Sequence, residues 1–277
     1  NFFKGFMMKF SKFFLFVVGA LLATSLSAKA DFSKEASEYK AYVIAEIDEL
    51  LAKTTEFVDK INAGDVKSAK RLYALSRMHY ERSEPIAEIF GELDPKIDAR
   101  LADLQEDGKG EKDWSGFHKI EKILWETDST KGAEAIGAQL LNDIKELRAK
   151  VLTAKVDAEL MLTGAVDLLN EVSTSKITGE EDIFSKTDLY DFAANIEGAQ
   201  KIYDILKPHL LKKDKNLAKD IEAQFKNVNA LLAKQNFSKD GYDFKAYDKL
   251  SQNEIKELAE AVNKLGEPLS KMGVILD

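Results

Sequence analysis

From Ser33 onward, apolar side chains recur every three or four residues, the spacing that lines one face of an α-helix. The segment from Ser33 to about Asn62 places Tyr39, Tyr42, Val43, Ile47, Leu50 and Leu51 at that spacing and ends at the turn sequence NAGD. A second helix is predicted from about Asp65 to Phe90, with Pro85 inside it. Proline removes a donor and crowds the preceding turn, so a kink or break is expected there. Asp94-Pro95 opens a third, shorter helix with Asp94 as its cap. The charged loop QEDGKGEKD follows, then WSGFHKIEKILW, then a helix from about Lys131 past Val151. A second half begins near Asp157. In it, Ser185-Lys186-Thr187-Asp188 reads as a capping box before LYDFAANIEGAQKIYDIL, which Pro208 is expected to end. Two more helices close the chain. No strand-like alternation with turn pairs stands out, so the expected fold class is all-α, in two halves of about equal size.

The first thirty residues break the pattern. Lys9 and Lys12 precede the apolar run FFLFVVGALLA, and Ala28-Lys29-Ala30 follows it. A basic start, a short apolar core and a small-x-small ending describe a secretory signal peptide. The run is shorter than the roughly 20 residues of a membrane span. Residues 1–6 lie upstream of a plausible start at Met7. The mature chain is expected to begin near Asp31, be exported, and carry no membrane-inserted segment.

Composition sharpens this picture. Without the four lysines of the leader, the 40 basic residues fall to 36 against 48 acidic ones, a net of −12. Such a charge disfavours nucleic acid and anionic membranes and suits a protein that meets cations. The absence of cysteine excludes disulfides, thiolate metal sites and a lipidated Cys.

One helix carries the first chemical signal. In Trp114–Trp125, Phe117, Ile120, Leu124 and Trp125 form an apolar arc, with Glu121 near its middle and His118 at its edge. A carboxylate on an apolar arc costs several kcal/mol unless it is paired or hydrogen-bonded. On the second helix Arg77, Glu81 and Glu84 share a face at i, i+4, i+7. Helix-bundle metal sites join acidic residues of one helix to a carboxylate–His pair of another. Asp98 is the natural further oxygen donor. A buried pair of Glu121 with Arg77 or Arg100 accounts for the same pattern, and spacing leaves both readings open. His79 and His209 read as structural.

YERSEPIAEIFGELDPKIDAR followed by WSGFHKIEKILW closely resembles the EfeO/EfeM family of imelysin-like periplasmic iron-uptake proteins, as does GAVDLLNEVSTSKITGEEDIFSKTDLYDFAANIEGAQ. The most specific piece is the G-x-H-x-x-E of Gly116–Glu121. The resemblance implies two tandem four-helix bundles, here residues 31–155 with the metal site and 156–277. It implies a metal site of Glu81, Glu84, Asp98 and His118, completed by Glu121. The cupredoxin-like domain of the longer EfeO proteins has no counterpart, so the chain looks like the shorter EfeM type.

The function implied is that of a periplasmic iron-binding component, not an enzyme. It would hold Fe3+ or Fe2+ and pass it to an inner-membrane iron permease, with a haem peroxidase-like protein as a further partner. Zinc or copper would compete in vitro. An imelysin-type metallopeptidase is the alternative, but no H-E-x-x-H is present. A carbohydrate-binding or scaffold protein is a third reading, for which Tyr73, Tyr80, Trp114 and Trp125 are the candidate aromatics.

Overall fold

A computed structural model describes residues 31–276; the leader predicted in residues 1–30 lies outside them. Among the described residues the chain forms ten α-helices and three single 3-10 turns. The first half holds α1 (Ser33–Asn62), α2 (Val66–Ala87), the short α3 (Asp94–Ile97) and α4 (Leu101–Glu106), α5 (Gly116–Thr127) and α6 (Glu134–Thr153). The second holds α7 (Ala158–Thr174), α8 (Asp188–Lys213), α9 (Lys215–Gln235) and α10 (Gln252–Leu276). The fold is all-α, as the periodicity predicts. No described helix is long and apolar enough to cross a membrane.

The long helices form where apolar spacing is strongest. Tyr39, Val43, Ile47, Leu50, Phe57 and Ile61 make the buried stripe of α1, which packs on α2 and α6. In the second half, α8 packs against α7 and α9, and α10 against α7 and α9. The two halves meet along α2 and α8, and the apolar core runs through that seam without interruption. Gly164 of α7 makes the close approach possible: a Cβ there would lie 2.5 Å from the Pro85 Cβ.

Four local expectations are corrected. The break allowed for at Pro85 does not occur, since α2 runs on to Ala87. Proline frees the Glu81 carbonyl from its helical partner, and Asn195 Nδ2 of α8 donates to that oxygen at 3.1 Å. Pro208 does not end α8, which continues to Lys213; the carbonyl it frees belongs to the exposed Asp204. Asp94 is not the cap of α3 but its first residue; its carboxylate accepts from the Tyr80 hydroxyl. The segment 94–106 is two short helices, and Asp98 and Arg100 stand in the link between them. No capping box opens α8. Thr187 makes no side-chain cap, the Ser185 hydroxyl pairs with that of Thr187, and Asp188 turns back to the preceding loop.

Candidate metal centre

The His118–Glu121 pair is buried, with His118 at 2% and Glu121 at 0% exposure. Its setting begins with Gly116, whose φ of +80° suits glycine. A Cβ on Gly116 would stand 2.2 Å from the Ile97 carbonyl oxygen. The missing side chain lets α5 start against the end of α3, one residue from Asp98.

The two nitrogens of His118 face different surroundings. Nδ1 lies 3.2 Å from Glu121 Oε2, 3.3 Å from the Tyr73 hydroxyl and 3.7 Å from Asp182 Oδ1. Tyr73 donates to that same Asp182 oxygen at 2.9 Å. Glu121 is fixed in turn by Oε1, which accepts from the backbone N–H groups of Phe184 at 3.0 Å and Ser185 at 2.7 Å. Its partner is therefore not Arg77 or Arg100 but a loop of the second half.

Nε2 is buried with no hydrogen-bond partner. It points between Glu181 Oε1 at 3.7 Å and Asp98 Oδ1 at 3.9 Å. Two donors each about 2.1 Å from one ion lie about 3–4 Å apart, so this spacing accepts a cation. Donor atoms of Asp98, His118 and Glu181 fall within 4.8 Å of one another. Glu181 and Asp182 are held there by Asp188, whose Oδ1 accepts from both of their backbone N–H groups at 3.2 Å.

The acidic pair of α2 stands beside this centre. Glu81 is held by the buried cations Arg77, at 2.7 Å, and Lys176. Arg77 also binds Asp98 and lies 3.4 Å from Glu181, 3.7 Å from Asp182 and 3.5 Å from Asp191. Glu84 joins Glu81 through Asn195 Nδ2, at 3.0 and 3.1 Å, and forms a separate carboxylate group with Glu88 and Glu171. The structure thus brings Asp98, His118 and Glu121 together around one imidazole. It links Glu81 through Arg77 and places Glu84 one group further out.

Carboxylates outnumber the cations here, and their ionisation reflects it. Burial, opposed by Arg77 and reinforced by Glu81, raises Asp98 to about 7. Burial and Asp182 raise Asp188 to about 7. Burial raises Asp191 well above the carboxylate range despite Arg77. Against its burial, Lys176 and His118 hold Glu181 well below that range. Burial and Arg77 push His118 down, but Glu121, Glu181 and Asp98 outweigh them and hold it up at about 10.

A cleft of about 260 Å³ leads in from solvent. Among the described residues, Asp98, Glu181 and six further carboxylates line it, with Arg100 as its one cation. Such a concentration of one sign focuses the field and draws cations inward.

Glu181, Asp182, Asp191, Asn195 and Lys176 were not among the residues that sequence reasoning selects. Asp188, Asp191 and Asn195 carry the same signal as Glu121, polar groups at i, i+3 and i+7 on a face that buries Leu189, Phe192 and Ile196. His79 and His209 are structural, paired with Glu46 at 2.8 Å and Glu35 at 2.7 Å. Tyr73, Tyr80 and Trp114 are buried, so they line no exposed aromatic groove.

The described residues form an all-helical bundle that sets one imidazole among buried carboxylates. The imelysin family model matches residues 36–272, and its label places that family among peptidases. The chain is 55% identical over 252 residues to an EfeM/EfeO family lipoprotein of Staphylococcus haemolyticus, covering 90% of this chain and 86% of that protein. It is 54% identical over 250 residues to one from Staphylococcus aureus strain MSSA476, covering 90% and 87%. The chain belongs to the imelysin family, as one of its EfeM/EfeO proteins. Those relatives are called lipoproteins, whereas the 277 residues here include no cysteine.

Proposed function

We propose that the chain is an iron-binding carrier that takes its ion on the Nε2 face of His118, between Asp98 and Glu181. The observation that carries this reading is the buried, unpartnered Nε2 facing Asp98 and Glu181, two carboxylates that line an acidic cleft. Carboxylate oxygens with one imidazole favour a hard or borderline cation over copper(I). The EfeM/EfeO relatives support iron as that cation and an uptake system as its destination. In this reading Glu121 does not take the ion. It holds the Nδ1 proton and so turns the Nε2 lone pair toward the cleft.

The family label raises peptidase chemistry, and the geometry speaks against it. A hydrolytic centre needs a free general base beside the metal-bound water. Glu121, the base such a site would use, is occupied by two backbone N–H groups and the His118 ring. The chain is accordingly read as a binding protein rather than an enzyme. It would work in the periplasm, the leader and the lipoprotein relatives supporting export. Its ion would pass to an inner-membrane permease, with a haem peroxidase-like protein as a further partner.

The test is a competitive iron titration of residues 31–277 as wild type, His118→Ala, Glu181→Ala and Glu81→Ala. Binding should be lost in the first two variants and retained, at altered strength, in Glu81→Ala. Equal iron binding in wild type and His118→Ala refutes the site.

A further inference from the structure

Lys176 is fully buried on the single 3-10 turn Lys176–Thr178 that follows α7. Its ammonium donates to Glu81 and lies 3.8 Å from Glu171, 3.9 Å from Glu84 and 4.0 Å from Glu181. These neighbours belong to different sets. Glu181 is part of the inner group with Asp98 and His118, while Glu84 and Glu171 belong to the outer group in the cleft. One positive charge therefore sits where the two carboxylate groups meet, and every ion-pair partner of its Nζ is a carboxylate.

Arg77, the other cation that pairs with Glu81, is built differently. Its guanidinium faces carboxylates from several segments and lies over the rings of Tyr73 and Phe117, at 5.9 and 5.8 Å. A planar fork held on several edges is fixed in place. An ammonium on a four-carbon stem is a point charge that moves by rotating single bonds. Only the second can yield its position without disturbing the helices.

We infer that Lys176 is the displaceable placeholder for the metal. In the ion-free protein its ammonium balances Glu81 and Glu181. When a cation enters between Asp98 and Glu181, Glu181 exchanges one positive partner for another and the ammonium withdraws toward Glu84 and Glu171. Lys176 thereby weakens the net affinity and speeds release, which a carrier that must surrender its ion requires. This inference rests on the iron-carrier reading of the His118 site.

The experiment titrates Fe(II) anaerobically against a chromogenic chelator, then follows release in a chelator chase, for residues 31–277. The variants are wild type, Lys176→Met, Lys176→Gln, Lys176→Arg and His118→Ala. Removing one adjacent positive charge should tighten binding about tenfold or more and slow release in Lys176→Met, a coupling of ordinary size. Lys176→Gln carries the same expectation and still offers Glu81 a hydrogen bond, so it stands if Lys176→Met does not fold. Lys176→Arg, whose planar fork cannot withdraw as the ammonium does, should bind more weakly than wild type. Equal or weaker binding in Lys176→Met and Lys176→Gln, with wild-type binding still dependent on His118, overturns the placeholder. Wild-type binding in His118→Ala overturns the site itself, and the placeholder with it.

Discussion

Glu121 Oε2 stands 3.2 Å from His118 Nδ1, on the side of the ring away from the cleft. This contact decides which nitrogen is offered to a ligand. Glu121→Gln keeps an oxygen for the N–H groups of Phe184 and Ser185. It then turns an amide N–H toward Nδ1, which must accept, so the proton moves to Nε2. The variant should fold normally and bind iron about 10–100-fold more weakly, the usual cost of losing a ligand's orienting partner. Unchanged affinity by chelator competition would remove Glu121 from this role.

Gly116 tests how the site is spaced. Gly116→Ala forces a Cβ into the Ile97 carbonyl and demands a left-handed backbone of an L residue. Expected is a loss of about 2–4 kcal/mol in denaturant unfolding. Metal affinity should fall with it, because Asp98 follows Ile97 directly. A neutral substitution would show that α3 and α5 need not touch as they do.

Asn195 and Pro85 should prove energetically coupled. Asn195→Ala leaves the Glu81 carbonyl, Glu81 Oε2 and Glu84 Oε2 without its donor and should cost about 2–3 kcal/mol. Pro85→Ala restores an N–H to the Glu81 carbonyl, so in that background the loss should shrink by about 1 kcal/mol. Strict additivity in the double-mutant cycle argues against the carbonyl as the link.

Acidity should move the metal-free fold and metal binding in opposite directions. Asp98 is raised to about 7 from an ordinary 3.8, so its neutral form stabilises the fold. That contribution is complete below 3.8 and disappears as pH climbs through 7. His118 is raised to about 10 from 6.5, so its stabilisation is complete below 6.5 and is lost on the way through 10. Iron must displace both protons, so affinity should rise with pH while the metal-free melting temperature falls. At neutral pH, binding should release about one proton from His118 and a fraction from Asp98, read by calorimetry in buffers of different ionisation enthalpy. Buffer-independent heats would contradict this.

The sequence exposed the long helices because α1 repeats one apolar stripe for 30 residues. It blurred residues 94–106, where two short helices carry too few turns to show a period. Within the site, the buried His118–Glu121 pair was legible from its place on an apolar arc. The partners were not, because they arrive through tertiary contact: Lys176 is 95 positions from Glu81, and Asn195 is 114 away. Glu181 and Asp182 sit in a loop with no periodicity to betray them. Asp191 and Asn195 could have been found by asking of α8 what was asked of α5.

The seam between α2 and α8 has a consequence for timing. Donors at positions 98, 118 and 181 converge only when both halves have closed on each other. A chain threaded unfolded through an export channel therefore carries no ready chelator. On the carrier reading, the ion would be selected by the medium in which folding finishes rather than by the metal pool where the polypeptide was made.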